Sequence, residues 1–569
     1  MSGSVEKSWS SVASAVAGAV TGAVTRFSAR LGVETSELAC LTAIVAAAAA
    51  FRLANLPVRG GWDSDQGTEM LALRNTVTSG HLPTFGPEAI SVGATFHHGA
   101  LYYDLLLPAT WLGNGDPTFV VAEIALLSLL VVPIVWWIAR SIGGPAAGLA
   151  AALLAAVSAS LIGYSTFIWN PTLVEPGAAT AFLGAWQAWR TRRPSWWLVA
   201  AAGSAVAMQA HVAAAVLALP MAVVYLADLR RGPVGQRSRI LAWGLAGVAL
   251  VVATYLPVIF YELSHDFAET RGMLGYFAGP DSAPARDPLT RLLFSAIRIL
   301  AWPLTRWPLV DLRPAFVPAL AVATSLAVVL IWRVGATRAA AKAAAAEAGV
   351  GAADAPAERA EEAAAEHDGL RFVGGLMLLI IVALGLGLHS VSEVQELPTE
   401  QYHVVADPLV LVAAGLVIAS LWQTTTRGGS TAVGRVAAGL AILALVVWNV
   451  GHWPPATAPD GGWPAAHAAA QRIERDAQGG SIAIVAVPAD KGSDAYGYPL
   501  ALDGIALTNP ADASTVVVLC DSFWIETGCG DAGAEAAWLS VASAGPSLQF
   551  VERFPAAPDR TLSVYHRLP

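Results

Sequence analysis

Charge is what this sequence has least of. Only 13% of its 569 residues are Asp, Glu, Lys or Arg, against roughly 25% in an ordinary soluble protein. That shortage excludes a water-soluble globule of this size, because too few polar side chains exist to cover its surface. The net charge of −9 gives no basis for a nucleic-acid partner. Cysteine is scarce too, at three residues. Cys40 lies in an apolar run, while Cys520 and Cys529 lie in the polar C-terminal region and can pair in an oxidising compartment. The stretch from Ser8 to Val24 lacks the basic start and leucine core of a cleavable signal. It reads as a cytoplasmic or interfacial helix. No repeat relates the two halves of the chain.

Apolar residues are abundant instead, at 55% of the chain with a mean hydropathy of +0.56. Runs rich in Leu, Val, Ala and Ile recur, long enough to cross a hydrocarbon core of roughly 30 Å. Candidate spans cover 37–55, 118–138, 145–164, 171–189, 196–211, 212–228, 240–260, 314–332, 371–390, 404–424 and 434–451. The reading is an all-α polytopic membrane protein of about eleven helices. Arg26, Arg30, Arg140, Arg190, Arg192, Arg193, Arg230, Arg231, Arg237, Arg239, Arg333, Arg338, Lys342, Arg427 and Arg435 then fall on one side. The positive-inside rule makes that side the cytoplasm. An odd span count sends the C-terminus out, and a plasma membrane is the expected location.

Three divisions follow: a cytoplasmic segment 1–36, a membrane domain 37–451, and an extracytoplasmic α/β domain 452–569. In the last, "AAHAAAQRIERDA" reads as a helix, and "SIAIVAVP", "STVVVLC" and "RTLSVYHRL" read as strands. Within the membrane domain, the Ala/Glu-rich stretch 334–369 reads as a helical, poorly packed cytoplasmic linker. Outer loops cover 56–117 and 262–313. The second carries Arg271, Arg286, Arg291, Arg298, Arg306 and Arg313, against the positive-inside expectation; phosphate binding or contact with anionic lipid would each account for them.

The first outer loop carries the chemistry. "GGWDSDQGTEMLALRNTVTSG" places Asp63 and Asp65 at the start of a helix that ends before Gly80, with Met70, Leu73 and Val77 on one face. Acids there can simply cap the helix and answer its dipole. His97 and His98 can bind a metal or a phosphate, or serve as interface polarity. Tyr102, Tyr103 and Asp104 follow. Farther on, Glu393, Glu396, Glu400, Tyr402 and His403 precede a span, and Glu175, Gln209, His211 and Asp407 are polar intrusions into apolar runs. Such intrusions are costly unless they face protein or a water-filled cavity, so together they point to a cavity opening outward.

In this order the residues resemble the glycosyltransferase C superfamily, in the branch of protein O-mannosyltransferases and aminoarabinose lipid A transferases (glycosyltransferase family 39-like). That branch has an acidic pair after its first span; here Asp65-Gln66-Gly67 stands there, preceded by Asp63, with Gln66 in the second acid's place. "FHHGALYYDLLLP" is similar to its Leu-Tyr-Tyr segment, "GYSTFIWNPTLVEP" to its Asn-Pro turn, and "EQYHVVADPLVLVAAG" to the start of a late span, with Gln401 where Arg is usual. The likeness spans roughly 37–451.

The resemblance implies an inverting sugar transfer on the outer face, from a polyprenyl-phosphate donor to a hydroxyl on a glycan, lipid or protein. Asp65 would be the general base, with Asp63 orienting the acceptor or holding a divalent metal. His97, His98, Tyr102, Tyr103, Tyr402, His403, Arg271 and Arg298 are the expected substrate-binding residues. No cofactor is firmly implied. A transporter or flippase for a lipid-linked substrate is the alternative, and a scaffold or sensor working through 452–569 a third.

Overall fold

The computed structural model describes residues 32–91, 94–278, 287–306, 316–348, 354–387, 400–423, 431–487, 492–522, 530–542 and 547–568. The N-terminal segment through Arg30, and Arg286, Arg313, Glu393, Glu396, Arg427 and Cys529, lie outside them.

The first apolar run forms α1 (Thr35–Leu53). Both ends are tied to later helices. Glu37 accepts from the Arg140 guanidinium at 2.8 Å and from the Trp136 indole at 3.1 Å. Arg52, fully buried, donates to the carbonyls of Ala155 and Ala156 at 3.0 and 3.2 Å. Those bonds fix where the chain leaves α1, and so where Trp62 and Asp63 lie.

Next come α2 (Ser64–Ser79), the antiparallel pair β1 (Phe85–Ser91) and β2 (Ala94–Gly99), and α3 (Leu101–Leu112). α4 (Pro117–Leu129) and α5 (Val131–Val157) follow. After the short helix Ala159–Tyr164, a turn through Asn170–Leu173 leads into α6 (Val174–Thr191), α7 (Trp196–Ala210), α8 (Ala218–Arg231) and α9 (Val234–Thr254). Beyond them are α10 (Ala268–Ala278), α11 (Pro288–Thr305), α12 (Phe316–Ala348), α13 (Asp354–Leu386), α14 (Asp407–Gln423) and α15 (Ala432–Gly451). The hairpin lies where the sequence predicts only an outer loop.

Eight stretches among the described residues are long and apolar enough to cross a membrane, where about eleven spans are expected. The expected spans 118–138 and 145–164 fall largely in one 41-residue stretch, Pro117–Val157. The chain reverses at Gly144 (φ 82°), beside Pro145, where a glycine at positive φ and a proline lacking its N–H interrupt the hydrogen-bond ladder. A Cβ on Gly148 would lie 2.7 Å from Arg140 Cβ and 2.9 Å from the Trp136 carbonyl oxygen, so the two halves pack antiparallel as separate helices. The expected span 171–189 is α6, whose 18 residues include Glu175 and Arg190. The expected span 196–211 is α7, only 15 residues long. The stretch 334–369 is helical where described, as the continuations of α12 and α13.

The C-terminal part is a small α/β unit. It comprises α16 (Gly462–Ala477), β3 (Ile482–Val487), α17 (Asp494–Leu502), β4 (Thr515–Asp521), α18 (Ala532–Val541), β5 (Leu548–Ala557) and β6 (Arg560–Arg567). The sheet order is β3-β4-β6-β5, with β3 and β4 parallel and the other pairs antiparallel. β4 reads "TVVVLCD" because every residue but the last is buried. Cys520 is disulfide-bonded, and Cys40 is free.

This unit packs directly on α2. A Cβ on Gly67 would lie 2.0 Å from the Asp494 carbonyl oxygen, so α2 and α17 meet backbone to backbone. Trp62 adds two bonds across the same junction, from its N–H to Asp460 Oδ2 and from its indole to the Ala495 carbonyl, each 2.7 Å.

Candidate functional site

The site begins at the N-terminus of α2. Asp63 is extended (φ −134°, ψ −163°), and its Oδ1 accepts from the Asp65 N–H at 2.9 Å. The Asp63 N–H donates back to Gln66 Oε1 at 2.9 Å. This reciprocal capping box satisfies donors that a helix start otherwise leaves bare. Gln66 then uses its other atom: Nε2 donates to the Ile168 carbonyl at 2.8 Å. A glutamate there could accept from Asp63 but would set a carboxylate against that carbonyl. Glutamine, with one accepting and one donating atom, meets both partners at once. Asp63 is committed to the cap, while Asp65 is exposed in the first turn, where the dipole favours its negative charge.

Four residues on, Glu69 lies on the same helix face and is 3% exposed. Tyr102 donates its hydroxyl to Glu69. Burial pushes the Glu69 carboxyl up to about 8, against the Tyr102 hydrogen bond that draws it down. Burial and the Glu69 charge raise both Tyr102 and Tyr103 well above the usual phenol range. Sequence reasoning missed Glu69. The i, i+4 spacing from Asp65 was the available signal.

A second group surrounds the start of α14. The His98 and His211 rings lie 5.3 Å apart, and the His211 and Tyr402 rings 5.5 Å. Tyr402 hydrogen-bonds Tyr276. Burial, then the neighbouring His97, push His98 down to about 4, so it is neutral at physiological pH. His403 is fully buried, neither of its ring nitrogens has a hydrogen-bond partner among the described residues, and its ring and that of Trp302 meet edge to face at 5.8 Å. Burial and the Arg298 guanidinium hold His403 well below the usual histidine range.

The end of α7 connects the two groups. Gln209 Oε1 accepts from the Leu101 N–H at 3.3 Å, and the Ala210 carbonyl accepts from Asn170 Nδ2 at 2.6 Å. Asn170 also hydrogen-bonds Glu69 through its backbone. Gly99 permits this closeness, since a Cβ there would lie 2.2 Å from Gln209 Oε1.

The structure therefore gathers Asp63, Asp65, Tyr102 and Tyr103 around Glu69, and His98, Tyr402, His403 and Arg298 around the second group. His97 and Arg271 are turned elsewhere. His97 bonds Glu269 of α10 through its N–H at 2.7 Å and its Nδ1 at 3.1 Å. Arg271 is exposed and donates to the Asp266 carbonyl. Among the described residues, no three or more His, Cys, Asp or Glu side chains are grouped to hold a metal ion.

Comparison with solved structures gives this architecture its place. ArnT from Cupriavidus metallidurans in the apo state matches with a TM-score of 0.55 at 12% identity, over 92% of this chain and 97% of that one. The fold is that of the glycosyltransferase C superfamily. A second ArnT structure, bound to undecaprenyl phosphate, matches at TM-score 0.54 and 12% identity over the same shares. The oligosaccharyltransferase AglB from Archaeoglobus fulgidus matches at TM-score 0.47 and 11% identity, over 94% of this chain and 74% of that one. Residues 110–261 match the family model described as dolichyl-phosphate-mannose-protein mannosyltransferase. No curated relative matches significantly by sequence.

Proposed function

We propose that this membrane protein transfers a sugar from a polyprenyl-phosphate donor to an acceptor hydroxyl, with inversion at the anomeric carbon. One observation carries the reading most: an exposed carboxylate, Asp65, heads a helix beside a buried carboxyl, on a fold shared with a protein that binds undecaprenyl phosphate.

A neutral alcohol is a poor nucleophile until its proton leaves. Asp65 takes that proton as the acceptor oxygen bonds to the anomeric carbon, and the bond to the donor phosphate breaks with its electron pair on phosphate. Glu69, one turn below, stays protonated near neutral pH, so it does not compete with Asp65 as the base. Asp63 contributes by fixing the Asp65 backbone. The leaving phosphate is met by the Arg298 guanidinium and a neutral His403 N–H, with Tyr402 and His98 shaping the wall. Buried donors of this kind are worth far more than exposed ones. The isoprenoid tail remains among lipid.

In our reading the chain divides at about 36 and 452. Its N-terminus is cytoplasmic, and Asp65 and the C-terminal domain face outward across a plasma membrane. The deciding assay supplies purified protein with labelled polyprenyl-phosphate sugar: Asp65→Asn should fold, insert and fail to transfer. Transfer by that variant at the native rate would remove Asp65 as the base.

A further inference from the structure

Beside the acid-bearing helix start lies a cleft of about 360 Å³, floored by the turn after the short helix Ala159–Tyr164 and roofed by the C-terminal domain. Its volume falls in the range of small-ligand sites. Three aromatic side chains, Tyr164, Phe167 and Trp169, line one side. Trp169 is nearly parallel to both others: 21° and 6.2 Å from Tyr164, 25° and 5.7 Å from Phe167. Phe167 and Trp169 are only half-buried.

Three guanidinium groups face this platform from different parts of the chain. Arg59 is 8% exposed; its Nη1 donates to the Phe51 carbonyl, and its Nε has no hydrogen-bond partner among the described residues. Arg306 reaches over Gly163, where a Cβ would come within 3.3 Å of its Nη2. Arg560, on β6, donates to the Trp62 carbonyl, directly before Asp63. Two acids also line the cleft, Asp460 and Asp559. Both Asp460 oxygens are already taken, by the N–H groups of Trp62 and Gly462 at 2.7 and 3.0 Å. Asp559 is exposed.

We infer that this cleft binds a saccharide, neutral or acidic, as the acceptor. It rests on the glycosyltransferase reading for the acceptor role, but not for the binding itself. The C–H face of a sugar ring is apolar with electropositive hydrogens, and it packs on the negative face of an aromatic ring. Its hydroxyls and any carboxylate are acceptors for the fixed fork of arginine N–H groups. With Arg560 also paired to Asp521 at 3.3 Å, Arg59 and Arg306 are the guanidiniums left to donate to the hydroxyls or carboxylate of a saccharide. Arg560 ties the cleft to the Trp62 carbonyl, three residues before Asp65, and the ring seated on Trp169 is the acceptor whose hydroxyl Asp65 deprotonates. The C-terminal domain thereby supplies part of the acceptor site.

The test uses full-length protein in lipid nanodiscs. The probe is the water-soluble oligosaccharide fraction released by mild acid from the envelope of host cells lacking the gene. Saturation-transfer NMR should show this fraction binding to wild type and to Asp65→Asn equally. Trp169→Ala should weaken it at least tenfold, with Trp169→Phe retaining most of it. Phe167→Ala is the second variant, expected to weaken binding should Trp169→Ala misfold. Undecaprenyl-phosphate binding should be the same in all the folded variants. Failure of wild type to bind the fraction, or equal binding by folded Trp169→Ala or Phe167→Ala, overturns the inference. Native-rate transfer by Asp65→Asn would overturn the catalytic reading alone and leave the binding result standing.

Discussion

The hydroxyl of Tyr102 donates to the carboxyl of Glu69, one helical turn beyond Asp65 and out of reach of water. Burial raises the folded pKa of Glu69 to about 8 from the usual 4.5. The folded state then binds this proton more tightly than the unfolded state does. Its contribution to stability is complete below about 4.5 and is lost as pH rises toward 8. Glu69→Gln should flatten that fall, measured as the melting temperature of detergent-solubilised protein across the window.

His98 acts with the opposite sign. Its folded pKa is lowered to about 4 from 6.5, so the unfolded state gains the proton first as pH drops. Stability should fall between about 6.5 and 4, and His98→Asn should remove that acid limb from the same melting curves.

Asp63 and Asp65 should separate cleanly on substitution. Asp63→Ala removes the cap on α2 and should cost about 1 kcal/mol of stability, whereas Asp63→Ser, which keeps an accepting oxygen, should recover most of it. Asp65→Asn should leave stability within about 0.5 kcal/mol while abolishing transfer. Thermal unfolding and turnover on the same preparations distinguish the two residues.

Arg298→Gln should lower kcat/KM for the polyprenyl-phosphate sugar by about 10²- to 10³-fold, the usual cost of losing one donor to a developing anion. Arg298→Lys should restore part of it, because charge survives but the planar fork does not. Steady-state kinetics against donor concentration give the answer.

Asp65→Cys in a Cys40→Ala background should react with an impermeant maleimide added outside intact cells. Cys520 is already disulfide-bonded, so labelling at position 65 reads out cleanly. Labelling seen only after lysis would place Trp62–Gln66 on the cytosolic face and end the outward-site proposal.

The helical membrane class is legible because transfer energy leaves a long apolar run few other fates. The C-terminal strands are legible for a similar reason: "TVVVLCD" is apolar on both faces because both are buried. The number of crossings is less so: Gly144-Pro145 does separate two antiparallel helices, but Glu175 and Arg190 within α6 and the 15-residue length of α7 leave hydropathy ambiguous there. Of the site, the helix start at Asp63 is readable from local capping chemistry. Arg298 and Arg271 are indistinguishable as letters in one loop. Only packing separates them, because α11 turns Arg298 inward while Arg271 bonds its own turn. Glu69 was hidden by its company, as an acid in an amphipathic helix ordinarily faces water.

The meeting of Gly67 with the Asp494 carbonyl leaves no slack between the helix bearing Asp65 and the C-terminal unit. Not even a methyl group fits in that seam. Whatever tilts or rotates the tail therefore moves the carboxylate with it, like two gears sharing one tooth. Reaction geometry in this protein is set as much from the last hundred residues as from the bundle beneath.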